Sequence, residues 1–161
     1  MLYRVMGRGR SDFERFVAEV EPRVRRALVG GFGAVVGRQA AADALAWAWQ
    51  NWERVREIES PVGYLYRVGR TLAVRSEARD LPVAEPAPAV ASPDYLFEPG
   101  LAPAIACLSE AQRCAVVLVV GFGYTLREAA EVLGVTASTV HRDSERALAR
   151  LRSEWEVENV R

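Results

Sequence analysis

The chain has 161 residues, room for one ordinary domain or two small ones, and half of them are apolar, so a core can be buried. Its formal net charge is zero, which removes bulk basicity as an argument for nucleic-acid binding and leaves charge distribution to carry it. All 21 basic residues are arginine, which grips phosphate and guanine through two parallel hydrogen bonds where lysine cannot.

"MLYRVMGRGR" at the start holds charge but no apolar stretch, so no signal peptide is expected. The longest apolar run, "AVVLVVGFGY" at 115–124, is too short to span a bilayer. The protein is therefore expected in the cytoplasm, without membrane insertion. A first helix is predicted from Ser11 as N-cap, with Phe13, Phe16, Val17 and Val20 at helical spacing and Pro22 as a kink or restart. "GGFGAVVG" has the glycines of a phosphate loop but no preceding strand and no Gly-Lys-Ser/Thr, so it reads as an inter-helix turn.

"RQAAADALAWAWQNWERV" is the next predicted helix; Trp47, Trp49 and Trp52 cannot all share one of its faces. Ser60-Pro61 opens "PVGYLYRVGRTLAVRSEAR" as N-cap and first helical residue. Leu65, Val68 and Leu72 form an apolar stripe there, and Arg67, Arg70, Arg75 and Arg79 project elsewhere beside Tyr64 and Tyr66. Six of the eight prolines lie between Pro82 and Pro103, in an arginine-free stretch carrying Asp80, Glu85, Asp94 and Glu98 at its start and middle. It reads as an extended acidic linker between two helical blocks.

Cys107 and Cys114, seven apart, would lie about 10 Å apart along a helix, out of disulfide reach, and are expected as reduced core residues. Ser109 with Gln112, and Thr125 with Glu128, fit capping boxes. Gly134 ends the second of these helices, and Thr136 caps the next. Helix, short glycine-containing turn and helix make a helix-turn-helix. At about 100° per residue, Val140, Ala147 and Leu151 share one face, opposite a row of Thr139, Arg142, Arg146 and Arg150. Small polar residues ahead of an arginine row suit a major groove. Ser144 stands where a core leucine would be expected, and Asp143 and Glu145 can pair with Arg146 and Arg142 or accept from cytosine.

No catalytic triad and no metal-ligand spacing can be built around the single histidine, His141. No enzyme activity, metal, cofactor or small-molecule substrate is expected. In the first block, Tyr64, Tyr66 and Trp52 among arginines have the chemistry of single-strand binding, although rings of this kind also serve as core. Trp47, Trp49 and Leu65 are read as core; Tyr64, Arg67 and Arg70 are read as functional.

Together, "PVGYLYRVGRTLAVRSEAR" and "LSEAQRCAVVLVVGFGYTLREAAEVLGVTASTVHRDSERALARLR" resemble regions two and four of the extracytoplasmic-function (ECF) class of bacterial sigma-70 family sigma factors. The resemblance covers most of residues 11–152 in family order. It implies an all-α fold of two small helical domains: a region two-like three-helix bundle at 11–79, a flexible linker at 80–103, and a region four-like helix-turn-helix domain at 104–157. It further implies a promoter-specificity subunit of RNA polymerase. Asp43 and Trp47 would contact the core enzyme. Trp52, Arg54, Arg56, Tyr64, Arg67, Arg70 and Arg75 would handle the −10 element and its opened strand. Thr136, Ser138, Thr139, His141, Arg142, Asp143, Glu145, Arg146 and Arg150 would read the −35 element. The linker would thread the RNA path of the polymerase, and an anti-sigma factor is a further implied partner.

The sequence departs from that family in three places. "QAAAD" keeps only Asp43 of the acidic cluster that contacts the polymerase clamp, Thr71 and Arg75 replace an Asn and an acid, and Asp143 and Glu145 occupy commonly basic positions. The alternatives are a sigma-like DNA-binding regulator that does not initiate transcription, and an interaction module without DNA binding.

Overall fold

A computed structural model of the protein describes the backbone of residues 2–79 and 101–159 and the side chains of 9–77 and 104–154. Every regular element among them is helical. The expected linker at 80–100 lies outside the described residues.

The first helix, α1 (Leu2–Phe32), begins nine residues before the predicted cap. Its two early glycines cost only about 1 kcal/mol each, which does not stop a helix, so Ser11 lies inside α1 rather than capping it. Nor does Pro22 restart the chain; the helix runs through it. Val20, Val24, Ala27 and Leu28 recur at three- and four-residue intervals and are all buried, as the periodicity demands.

The turn falls at Gly33, φ 80°, where "GGFG" was read as a plain inter-helix connection. Helix α2 (Ala34–Gln50) then folds back on α1. Its buried face is small: Gly37, Ala40, Ala41, Ala44 and Ala48. The two backbones therefore approach closely. A Cβ on Gly37 would lie 2.5 Å from the Val29 Cα and N and 2.6 Å from the Leu28 carbonyl carbon. The single predicted helix through Val55 is broken at Asn51, whose amide donates to the Trp47 carbonyl (2.9 Å), and a short α3 (Trp52–Val55) follows.

Helix α4 (Pro61–Arg79) starts at the predicted proline, and the Ser60 carbonyl accepts its first helical bond, from the Tyr64 N–H at 3.2 Å. Leu65 is buried and Val68 and Leu72 are half-buried, as the stripe predicts; Val62, Tyr66 and Ala73 are buried as well.

In the second block, α5 (Leu101–Ala106) already starts inside the proline-rich stretch. Helix α6 (Glu110–Val116) opens on the Ser109–Gln112 capping box and passes into a π-helical segment, Val117–Gly121. Because α5 and α6 are separate helices, the helical spacing argument for Cys107 and Cys114 does not hold. Both are free, but only Cys114 is buried; Cys107 is exposed and not part of the core. Helices α7 (Leu126–Leu133) and α8 (Ala137–Asn159) complete the helix-turn-helix.

One apolar cluster joins the blocks: Val24, Leu28 and Leu65 from the first, and Ala115, Leu118, Val132 and Val140 from the second. A smaller cluster of Leu108, Val116, Val117 and Ala147 lies wholly within the second block.

Candidate nucleic-acid interface

The helix-turn-helix is assembled from local signals. The Thr125 hydroxyl accepts from the Glu128 N–H (3.2 Å), and the Glu128 carboxylate accepts from the Thr125 N–H and O–H (2.8 Å each). The Thr125 backbone N–H, and next its hydroxyl, stabilise the charged carboxylate and hold Glu128 below the usual carboxylate range. A group with a depressed folded pKa contributes stability above its unfolded pKa and loses it as pH falls through the folded value. Thr125→Ala is accordingly expected to cost about 1 kcal/mol at neutral pH, and that gap is expected to narrow in acid. Urea denaturation at the two pH values reads it; an equal gap in both would mean that the carboxylate arm of the box is idle.

Gly134 ends α7 with φ 67°, a left-handed conformation that a side chain would oppose. Two residues on, the Thr136 hydroxyl accepts from the Thr139 N–H (3.2 Å) and lies 2.9 Å from both the Ser138 and the Thr139 hydroxyls. The N-terminus of α8 is thus a cluster of small hydroxyl side chains. Thr136, Ser138, His141, Arg142, Glu145, Arg146 and Arg150 are all exposed, and Thr139 is half-buried. Val140 and Ala147 are buried on the opposite face, the division expected from the helical angle.

Ser144 belongs to that inner face at 4% exposure, and its hydroxyl donates to the His141 carbonyl (2.9 Å). A polar residue fits the core there because its hydrogen bond is satisfied one turn back. The expected ion pairs do not form. Asp143 instead approaches its neighbour Arg142 (Nε–Oδ1 3.5 Å), is mostly buried, and lines a cleft between the blocks rather than the arginine row.

The first-block residues are dispersed. Tyr64 packs on Trp47 with centroids 5.7 Å apart, so the ring assigned to bases and the one assigned to polymerase lean on each other. Trp52 is wedged against Phe13 and Phe16, with its indole N–H buried and unpartnered. Trp49, read as core, is half exposed beside Phe13. Asp43 is exposed and accepts from the Gln39 amide (2.9 Å). Arg54 and Arg75 are exposed; Arg56 sits near Glu53 (3.6 Å) and Glu57 (3.8 Å).

Arg67 and Arg70 face the cleft of about 410 Å³, across from Glu110, Val135, Val140 and Asp143. Arg70 grips Glu110 with two bonds, Nε–Oε1 at 2.6 Å and Nη2–Oε2 at 3.0 Å. Tyr66, grouped in the sequence with the projecting residues, is buried instead. Its hydroxyl lies 3.6 Å from the Cys114 sulfur, and burial pushes its ionisation far above the ordinary range. Glu110 and Cys114 give no functional signal in the sequence, since both look like ordinary residues of a capped helix.

Residues 101–151 match the family model described as Sigma-70, region 4. The C-terminal block is a sigma-70 region 4. It starts at α5, three residues before the boundary drawn from the sequence at 104. Comparison with curated proteins finds no match. Among solved structures, the sigma factor RpoE from Bartonella quintana, crystallised in complex with the anti-sigma factor NepR, is similar at a TM-score of 0.59. The two are 21% identical, over 91% of this chain and 98% of that one. The all-helical architecture of a sigma factor thus extends beyond region 4 to the first block. No described helix is long and apolar enough to cross a membrane.

Proposed function

We propose that the protein is an ECF-type sigma factor, a subunit that binds core RNA polymerase and selects promoters, and that it acts by binding rather than by catalysis. The observation that carries this reading is the match of residues 101–151 to region 4, with an exposed arginine row on its second helix. Helix α8 would enter the major groove of the −35 element, with Thr136, Ser138 and Thr139 close to the bases and Arg142, Arg146 and Arg150 reaching guanine edges or phosphates. The exposed arginines of the first block, with Tyr64, would serve the −10 element. The protein would act in the cytoplasm, where the polymerase is, and by likeness to the RpoE complex an anti-sigma factor is an expected partner.

Transcription reconstituted with core polymerase, followed by sequencing of the transcripts, tests both initiation and promoter choice. Binding to core without any promoter-dependent transcript would overturn the reading. One observation favours a second: Asp43 is the only acid of "QAAAD", so a DNA-binding regulator that does not initiate is the alternative. Failure of transcription with retained, steeply salt-dependent DNA binding would select it.

Arg146→Ala is expected to weaken binding to a cognate upstream duplex by about tenfold, the ordinary loss for one arginine at a base or phosphate. Fluorescence anisotropy reads this; unchanged affinity would remove Arg146 from the interface.

A further inference from the structure

We propose that this chain inhibits itself: region 4 docks on α4 and masks its strand-binding face, while the DNA-reading face of α8 stays open. The proposal rests on the sigma-factor reading and concerns the regulation of the same surfaces.

The docked contacts fall on the residues that a single strand would need. Arg70 is occupied by the two bonds to Glu110. Tyr66 lies beneath Cys114. A Cβ on Gly63 would sit 2.8 Å from the Glu131 carbonyl oxygen of α7, and one on Gly134 would sit 3.8 Å from Arg67 Nη1. The first turns of α4 are therefore covered by α6, α7 and the turn after α7. Nothing comparable covers Arg142, Arg146 or Arg150, which are exposed.

The joint has the makeup of a latch. Its polar ties are few: Arg70–Glu110, Arg23–Glu131 (2.9 Å), and Arg113, whose guanidinium donates twice to the Gly31 carbonyl (3.0 and 2.7 Å). Each block also keeps apolar packing of its own after separation. The first retains the alanine-lined α1–α2 hairpin, and the second retains the Leu108, Val116, Val117 and Ala147 cluster. The 21 residues from 80 to 100 could span at most about 70 Å, so the connection permits parting. A strand and Glu110 compete for one guanidinium. The docked chain can hold duplex through α8 but opens no bases until region 4 lifts away.

The geometry supplies a lock. Gly31 lies within α1, and a Cβ there would be 2.8 Å from the Cys114 sulfur, close to the separation of about 3 Å between a Cβ and the far sulfur of a disulfide. Gly31→Cys in a Cys107→Ser background should oxidise to a bond that staples region 4 to α1. In the full chain with core polymerase and the transcribed promoter, the oxidised form is expected to give about tenfold fewer open complexes than the same sample after dithiothreitol. Duplex binding through α8 should be equal in the two. Equal opening by locked and reduced protein would overturn the proposal.

Should the reduced form itself yield no transcript, the sigma-factor reading fails, and a fluorescent single-stranded oligonucleotide then decides the masking alone. Weaker binding by the locked form supports it, and equal or absent binding in both overturns it. A second variant needs no disulfide. Glu110→Gln keeps the side-chain size and frees Arg70, and should raise both single-strand affinity and the rate at which iodoacetamide labels Cys114. In the unaltered chain Cys107 should label at once and Cys114 slowly, since it is buried and its thiol is pushed up to about 11. Labelling of both at one rate would mean that the docked state is not populated.

Discussion

Gly37→Val should lower the melting temperature by about 10 °C or more, the largest loss expected from any single substitution in the hairpin. The atoms that a Cβ would meet are backbone atoms of Val29 and Leu28, at 2.5 to 2.6 Å, and no rotamer change can move them aside. The two helices would have to separate along their length, and Ala40, Ala41, Ala44 and Ala48 are too short to follow. Overpacking in a core ordinarily costs about 1–3 kcal/mol, and a clash with fixed backbone belongs at or above the top of that range. Set against a total stability of about 5–15 kcal/mol, the loss would be large. Circular dichroism melting reads it, and a shift of less than ~2 °C would show that the helices sit further apart than described.

Leu28→Ala should cost about 2–5 kcal/mol, the range for truncating a fully buried leucine. Leu28 is 0% exposed and belongs to the cluster that joins both blocks. Gly69 of α4 is packed so closely that a Cβ there would lie 2.5 Å from the Leu28 Cδ1, so α4 sits directly on this side chain. The void left by truncation would be bounded by two rigid helices, and collapse would be limited. Equilibrium unfolding in urea measures the loss. A change below about 1 kcal/mol would mean that the hairpin relaxes into the space.

The parts of this fold that could be read from the sequence are those specified within a few residues. The boxes at Ser109–Gln112 and Thr125–Glu128, the left-handed Gly134 and the Thr136 cap each satisfy orphan helix-end groups locally, and each stands where the pattern put it. The inward and outward faces of α8 followed from angle alone. Ser11 failed because a serine is a cap only when the preceding residues leave the helix, and here they extend it. Tyr66 and Arg70 were grouped as projecting residues because their partners, Cys114 and Glu110, lie 48 and 40 positions away and leave no local trace. Ser144 looked like a defect because a sequence does not show that a hydroxyl will return to its own helix. For the candidate site, the sequence indicated the surface of region 4 well and the accessibility of α4 poorly, since accessibility depends on what docks there.

The π-helical segment Val117–Gly121 sets a limit on how this chain can change length. A π turn holds one more residue than an α turn over the same stretch, and the extra residue sits immediately ahead of region 4's DNA-reading pair. Loss of that one residue would let the segment tighten into α-helix and swing everything after it by about 100° about the helix axis. The arginine row of α8 would then point away from any groove that α5 and α6 still addressed. Insertions and deletions between α6 and α7 are therefore not equivalent to those in an ordinary surface loop. Descendants of this sequence that vary in length should do so elsewhere, above all between α4 and α5.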